Sequence, residues 1–409
     1  MVERSYWIET LGCPKNQVDS DKLAGTLTAD GLVAAAMPED ADVVVVNTCA
    51  FIETAREESV ETVLALARAR RPGARLVVTG CLAERYGQEL AGALPEADSV
   101  AGFGVPVTLH PRVPELDLLN LPRPRSGAPW AYVKIAEGCD RKCGFCAIPS
   151  FRGPQRSRSV ESILAEVDQL EAQEVVLVAQ DLASFGRDQG AGERLIVPLV
   201  RAVAARVPRV RLLYLYPSDL TDELIDAVCD TGVPYFDLSL QHVSGALLRR
   251  MRRWGDGDRF LRRIDDVRRR EPSAAFRSNF IVGYPGETES DHDRLLAFVA
   301  QAQLDWCGFF AFSREEGTYA AGLDGAVDTG LVGERLRELG ELQDRITAER
   351  RSALVGERVE VLVDAPGVGR THREAPEIDG VVSLPLRLRP GTFAEVEVIG
   401  AAGPDLEAA

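Results

Sequence analysis

Glu137-Gly138-Cys139-Asp140-Arg141-Lys142-Cys143-Gly144-Phe145-Cys146 sets three cysteines in a C-x3-C-x2-C spacing, directly after an apolar run from Trp130 to Ala136 that predicts a β-strand. Three thiols on one short loop are metal ligands. Closed structural zinc sites take four ligands, usually from C-x2-C pairs, and none of the four histidines (His110, His242, His292, His372) falls in this loop. A cubane iron-sulfur cluster normally takes four cysteines, so three leave one iron open to a ligand that is not protein. Cys139, Cys143 and Cys146 are therefore expected to hold a [4Fe-4S] cluster with one exchangeable position.

Downstream of this loop the chain alternates strands with helical stretches. Strands are predicted at Trp130 to Ala136, Glu174 to Ala179, Arg211 to Tyr216, Tyr235 to Leu240, Phe276 to Val282 and Trp306 to Phe312. Six such units make a partial (β/α)6 barrel, in which reactive groups gather at the carboxyl ends of the strands. Those ends are polar here: the cysteine loop, then Gln180-Asp181, Gln241-His242, Gly283-Tyr284-Pro285-Gly286-Glu287 and Ser313-Arg314. Glycines there would let backbone approach a flat, polar cofactor closely, although Gly-x-Pro-Gly is also an ordinary turn. A lone His after an apolar strand is more often hydrogen-bonded structure than a catalyst, and His242 is read that way. Leu331, Leu336, Leu339, Leu342 and Ile346 recur near the helical period, so a helix to about Arg351 closes the unit.

Upstream, residues 1–104 also alternate strand and helix, which predicts an open parallel α/β sheet. Tyr6 to Leu11 runs into Gly12-Cys13-Pro14, Val43 to Val46 into Asn47-Thr48-Cys49, and Leu76 to Val78 into Thr79-Gly80-Cys81. In a parallel sheet these ends share one edge, which would gather Cys13, Cys49 and Cys81 into a second three-thiol site. The competing reading is three unrelated cysteines buried in apolar strands. Residues 105–129 carry Pro106, Pro111, Pro114, Pro122, Pro124 and Pro129, a density that suits a semi-rigid linker. The barrel unit then covers 130–351. In 352–409 the pattern changes to short strands, Arg358 to Val363, Ile378 to Leu384 and Phe393 to Ile399, which predicts a small β-barrel.

Composition narrows the setting. Of 409 residues, 45% are hydrophobic and 27% charged, ordinary for a globular protein. No stretch reaches the roughly 18 apolar residues of a membrane helix, and no signal-peptide core follows Met1, so a cytoplasmic protein without a membrane partner is expected. Thiolate cluster ligands also require a reducing compartment. Cys229 and Cys307 lie in apolar segments and are expected to be buried packing. The formal net charge of −16 is the wrong sign for a chain whose main partner is a polyanion. Arg249-Arg250-Met251-Arg252-Arg253 and Arg268-Arg269-Arg270 are accordingly read as solvated helix faces.

The C-x3-C-x2-C loop resembles that of the radical S-adenosylmethionine (SAM) family. The resemblance implies that SAM chelates the open iron and is reductively cleaved to a 5′-deoxyadenosyl radical. Leu11-Gly12-Cys13-Pro14-Lys15-Asn16, Asn47-Thr48-Cys49-Ala50-Phe51-Ile52 and Thr79-Gly80-Cys81-Leu82 are similar to the amino-terminal domain of the methylthiotransferase branch. That likeness implies a second [4Fe-4S] cluster, auxiliary to the first, on Cys13, Cys49 and Cys81. Phe280 to Glu287 resembles the fifth-strand motif near the SAM ribose and adenine, and Gln241 falls in a position near cofactor and substrate. Many family members carry Gly-Gly-Glu after the second strand, where this chain has Ala179-Gln180-Asp181. The cofactor-binding candidates are Gln180, Gln241, Gly283 and Glu287, with no catalytic residue assigned beyond the cluster ligands.

Gln241-His242-Val243-Ser244 resembles the signature of the protein-modifying methylthiotransferases, where tRNA-modifying relatives tend to have Gln-Ser. The implied substrate is the β carbon of an aspartate in the basic small-subunit ribosomal protein S-twelve, free or in the subunit. One SAM would methylate a sulfur on the auxiliary cluster and a second would supply the radical, with electrons from a reductase such as a flavodoxin or ferredoxin. A tRNA methylthiotransferase acting on a modified adenosine is the alternative within the family, and an iron-sulfur electron carrier or sensor the alternative outside it. Gly369-Arg370-Thr371-His372-Arg373-Glu374-Ala375-Pro376-Glu377-Ile378-Asp379-Gly380 resembles part of a TRAM domain. Residues 352–409 hold five Arg against ten Asp plus Glu, a net of −5, which disfavours RNA and suits a basic protein. Glu374, Glu377 and Asp379 are among the acids expected to meet it.

Overall fold

The computed structural model describes residues 4–103, 117–190 and 192–409. Pro106, His110, Pro111 and Pro114 lie outside the described residues. The chain begins with β1 (Ser5–Thr10), α1 (Pro14–Ala29), β2 (Val33–Ala34), β3 (Val43–Thr48), α2 (Glu53–Ala69), β4 (Arg75–Gly80), α3 (Cys81–Ala93) and β5 (Ser99–Ala101). These strands form one parallel sheet in the order β2-β1-β3-β4-β5. β3 reads Val-Val-Val-Val-Asn-Thr and is buried throughout, as a central parallel strand covered on both faces must be. Its alternate side chains feed two cores, Val44 and Val46 on one face and Val43 and Val45 on the other.

The central region contains β6 (Trp130–Lys134), β7 (Ala136–Glu137), α4 (Ile148–Arg152), β8 (Arg156–Ser157), α5 (Val160–Leu170), β9 (Glu174–Val178), α6 (Ile196–Ala204), β10 (Arg209–Leu212) and α7 (Asp222–Cys229). It continues through β11 (Tyr235–Gln241), α8 (Gly245–Arg250), α9 (Gly257–Arg270), β12 (Ala275–Val282), α10 (Glu289–Ala302), β13 (Trp306–Ala311) and the long α11 (Thr329–Ser352). Two parallel triplets, β6-β9-β10 and β11-β12-β13, meet through a single bridge between Leu215 and Leu238. The third strand therefore departs from the expected Arg211 to Tyr216: it starts at Arg209 and its ladder stops at Leu212. Tyr214 has φ +66°, and a left-handed residue there turns the backbone out of strand geometry. The predicted first strand also divides, because β7 leaves β6 to pair antiparallel with β8 and so fixes the base of the cysteine loop.

Alternation along the barrel strands separates two environments. Residues such as Val133, Leu177, Leu212, Phe236, Phe276 and Phe280 pack under the helices. The other parity carries the buried Tyr132, Lys134, Glu174, Arg211, Tyr235 and Asp237 and the half-buried Arg277, an unusually charged set for strand positions inside a fold. Partners for Tyr132, Glu174, Arg211, Tyr235 and Arg277 arrive from the C-terminal region, a closed barrel β14-β15-β16-β18-β17 made of β14 (Arg358–Ala365), β15 (Val368–Arg370), β16 (Val382–Ser383), β17 (Phe393–Ala402) and β18 (Asp405–Ala408).

The segment 370–379 inserts against the central strands. Arg370 reaches Glu174 at 3.1 Å, Tyr132 donates to the Pro376 carbonyl at 2.8 Å, Trp306 to the Arg373 carbonyl at 2.7 Å, and Tyr235 to Asp379 at 2.6 Å. This corrects two expectations. The strand from Ile378 to Leu384 shrinks to Val382–Ser383, because the Asp379 carboxylate accepts from the Ala375 N–H and holds 375–379 as a turn. Glu374 and Asp379 are not surface acids: Glu374 is fully buried against Arg351 and Thr371, and Asp379 pairs with Arg277, leaving only Glu377 of the three exposed. Cys229 and Cys307 are half-buried at the margin of the barrel core rather than inside it.

Candidate functional site

The three N-terminal cysteines stand on one sheet edge. Cys49 directly follows β3, Cys81 opens α3 directly after β4, and Cys13 caps α1 after β1. Two asparagines of the quoted motifs tie these ends together. Asn16 donates to the carbonyls of Leu11 (2.8 Å) and Thr48 (3.0 Å), while Asn47 donates to the Asn16 carbonyl and to Ser20 Oγ (both 2.9 Å). Gly12 has φ +94°, and a Cβ there would lie 2.9 Å from Cys49 Sγ, so this approach needs glycine.

The thiols feel one another: Cys13 and Cys81 each push the Cys49 pKa up, although burial is the larger cause, taking it to about 11. Burial likewise raises Cys81, against the pull of Arg152. Cys13 behaves differently. Burial opposes ionisation, but the charges of Lys15 and Arg152 and the N–H groups of Asn16 and Lys15 at the α1 start outweigh it and hold its thiol below the usual value.

The barrel cysteines share a loop braced on every side. The Cys139 N–H donates to the Gly153 carbonyl (3.1 Å), the Gly144 N–H to the Met251 carbonyl (2.8 Å), and the Arg141 N–H to Cys139 Sγ (3.4 Å). Arg141, between the first two cysteines, binds Asp181 at the end of β9 at 2.5 Å and also pairs with Asp219. Its guanidinium lies 3.9 Å from the Tyr216 ring centroid, and Arg253 lies on the same ring at 3.8 Å. Arg253 also approaches Cys143 Sγ at 3.5 Å, so this member of the arginine run faces the site and not solvent. Burial takes the Cys139 thiol to about 11 and that of Cys146 to about 12, with the neighbouring thiols adding to both.

Of the cofactor candidates, Gln180 donates to Glu137 at 2.8 Å and is half-buried beside the loop. Gln241, at the end of β11, has φ +70°. Gly283 has φ +79°, and any side chain there would overlap Val332. Glu287 is buried and committed within its own motif: it accepts from the N–H groups of Gly283 (2.6 Å) and Tyr284 (3.2 Å) and pairs with Arg335 at 3.0 Å. His242 is fully buried, accepts from the Ser244 N–H at 3.0 Å, and burial drops its pKa to about 4, which leaves the imidazole neutral near pH 7.

Among the described residues no three Cys, His, Asp or Glu side chains enclose a single ion. A polynuclear cluster asks for something else, since each thiolate takes a different iron. The fit lies in two sets of three thiols, each within mutual electrostatic reach and each with an arginine at one sulfur.

An electrostatic seam joins the two sets. Lys134, buried in β6, pairs with Asp19 of α1 and with Glu137 at 2.7 Å. Elsewhere the buried Glu315 after β13 takes Arg56 of α2 at 2.5 Å and Arg85 of α3 at 2.8 Å. Arg152 and these ion pairs have no local sequence signal, and Arg253 stands in a run read as a solvated helix face; only Lys134, one of four lysines and placed inside an apolar strand, is conspicuous.

Residues 133–299 match the Radical SAM superfamily, residues 5–102 the family described as Uncharacterized protein family UPF0004, and residues 355–409 the TRAM domain. Among solved structures, the radical S-adenosylmethionine methyltransferase TsrM from Kitasatospora setae, with cobalamin and a [4Fe-4S] cluster bound, superposes with TM-score 0.53 over 95% of this chain and 83% of its own, at 16% identity, a likeness of fold alone. Fold and site thus define a radical SAM enzyme, which uses SAM and an iron-sulfur cluster. The ribosomal protein uS12 methylthiotransferase RimO of Moorella thermoacetica is 45% identical over 91% of both chains, and that of Kineococcus radiotolerans 41% identical over 99% of this chain and 97% of its own. The chain belongs to this uS12 methylthiotransferase family.

Proposed function

We propose that the chain transfers a methylthio group to the β carbon of an aspartate in ribosomal protein uS12. Family membership across nearly the whole chain carries the reading, and the two tied cysteine sets support it. Cys139, Cys143 and Cys146 would hold the SAM-binding cluster, and Cys13, Cys49 and Cys81 the auxiliary one. When bound, the two clusters and two SAM molecules supply the radical that takes the substrate hydrogen and the methylthio group that replaces it.

The chain's own residues position and insulate. Arg141, through Asp181 and Asp219, orients the cysteine loop; Asn16 and Asn47 hold the three strand ends together. Gln180, Gln241 and Gly283 would line the SAM site, and Glu287 would shape the Gly283 turn from behind. Excluding water from the space between the two sets protects a reactive carbon species from side reactions.

The same proposal divides the chain into 1–104, a linker 105–129, the barrel unit 130–351 and the TRAM-like unit 352–409. It places the protein in the cytoplasm, with a flavodoxin or ferredoxin as reductant and no RNA bound through the acidic TRAM-like unit. Among the described residues no helix is long and apolar enough to cross a membrane. The deciding experiment offers anaerobically reconstituted protein both uS12 and total tRNA, with SAM and reductant, and seeks added methylthio groups by mass spectrometry. The uS12 aspartate should be modified; modified adenosine with unchanged uS12 would overturn the reading.

A further inference from the structure

Arg152 ends the short α4 that follows the barrel cysteine loop, yet its guanidinium serves both cysteine sets. One terminal nitrogen donates to Glu137, two residues before Cys139, at 2.8 and 3.0 Å. The other donates across the seam, to Asn16 Oδ1 at 2.8 Å and to Cys81 Sγ at 3.0 Å. Asp19 of α1 stands 3.6 Å away, and the Phe103 ring centroid lies 4.5 Å from the guanidinium carbon. The side chain is 3% exposed. Its two terminal nitrogens face different sides, so a planar fork spans Glu137 on one side and Cys81 on the other, a reach that one ammonium nitrogen lacks.

We propose that Arg152 is a positioning residue that tunes the auxiliary cluster and ties it to the barrel cysteine loop. Hydrogen bonds to cluster sulfurs, net charge and exposure set iron-sulfur potentials. Reduction adds an electron, so a cation donating to a ligand sulfur favours the reduced form and raises the potential. Arg152 delivers that cation to Cys81 from the barrel side, so the auxiliary centre feels its full effect only when the two units are docked. Glu137 and Asp19 oppose it, and Glu137 also receives Lys134, so the charge at Cys81 is a balance and not a bare arginine. Arg253 stands in the same relation to Cys143 but touches no N-terminal residue among its hydrogen bonds, which leaves Arg152 as the shared element.

The inference rests on the proposal that Cys13, Cys49 and Cys81 hold a cluster, and its test separates the two. In full-length protein with Cys139, Cys143 and Cys146 replaced by Ala, the remaining centre is titrated electrochemically with electron paramagnetic resonance as readout. Absence of iron in this background would sink both ideas at once. With iron present, Arg152→Gln should shift the reduction equilibrium at least tenfold toward the oxidised form, about 59 mV downward for one electron.

Arg152→Lys, which keeps a charge near Glu137 but cannot span to Cys81, should fall between Gln and wild type. Because Arg152→Gln leaves the Glu137 carboxylate with one cation fewer, Arg152→Gln with Glu137→Gln serves where the single variant misfolds, and it too should lower the potential. In protein with all six cysteines, the barrel centre should move less than the auxiliary one. Retained iron with an unchanged auxiliary potential in these variants, or an equal shift of both centres, would overturn the proposal.

Discussion

Cys139, Cys143 and Cys146 lie within one ten-residue stretch, whereas Cys13, Cys49 and Cys81 are separated by 36 and 32 residues. The first set is made by a loop. Its spacing, the Arg141 anchor and backbone bonds to Gly153 and Met251 suffice to hold it. The second exists only because three parallel strands end level, with Asn16 and Asn47 joining those ends. A local site tolerates loosening elsewhere in the chain. A site assembled from a sheet edge inherits the stability of the sheet and of whatever docks on it, and here Arg152 and Lys134 dock on it from the barrel.

The largest expected effect comes from removing either set. Replacing Cys139, Cys143 and Cys146 with Ala should abolish both reductive SAM cleavage and methylthio transfer. Replacing Cys13, Cys49 and Cys81 should abolish transfer while 5′-deoxyadenosine still forms. Each triple variant should lose one cluster's iron. Transfer that persists without the N-terminal set would break the division of labour between the two.

A middle-sized effect should follow from loosening the dock without touching a cysteine. Glu315 is buried between Arg56 and Arg85, and Glu315→Ala leaves two partly buried guanidinium groups without their carboxylate, at a cost of about 3 kcal/mol. Thermal unfolding should show the loss. The ratio of 5′-deoxyadenosine to modified uS12 should rise at the same time, because the loop set keeps working while the distributed set shifts away from it. A variant that loses stability with an unchanged ratio would mean that Glu315 only stabilises.

The same contrast explains what could be read from the chain. Local patterns survive translation into structure: the C-x3-C-x2-C loop, the three strand–cysteine junctions and the α11 periodicity lie where they were expected. Strand ends set by long-range partners do not. Nothing near Arg211 announces that Tyr214 turns left-handed, and a Glu-rich run such as Arg373 to Asp379 looks solvated until Arg351, Arg277 and Tyr235 are brought to it. Arg253 and Arg152 were hidden for the same reason. In a chain where arginine is abundant, only a partner distant in sequence distinguishes a buried guanidinium from a surface one.

The smallest effect should appear as acid loads the two regions unequally. Residues 4–103 contain no histidine, while the barrel buries His242. Burial lowers its pKa to about 4, below the ordinary histidine value of about 6.5. Its protonation therefore favours the unfolded chain: its contribution is complete above about pH 6.5, fades as pH falls toward 4, and is down by about 2 kcal/mol at pH 5. Asp379 works in the opposite sense. Burial raises its pKa to about 6, so it destabilises the fold as pH rises from about 4 through 6 and partly masks the histidine in the wild type. The difference between wild type and His242→Asn removes that mask, since Asp379 is common to both proteins and the Asn Oδ1 stands where Nδ1 accepts from the Ser244 N–H. Hydrogen exchange from pH 7 to 5, corrected for intrinsic rates, should show barrel peptides such as 235–250 losing protection in wild type relative to the variant, with peptides from 43–48 and 75–80 changing less. Parallel profiles in the two proteins would show that the His242 imidazole accepts its proton without cost and that acid does not distinguish the regions through it.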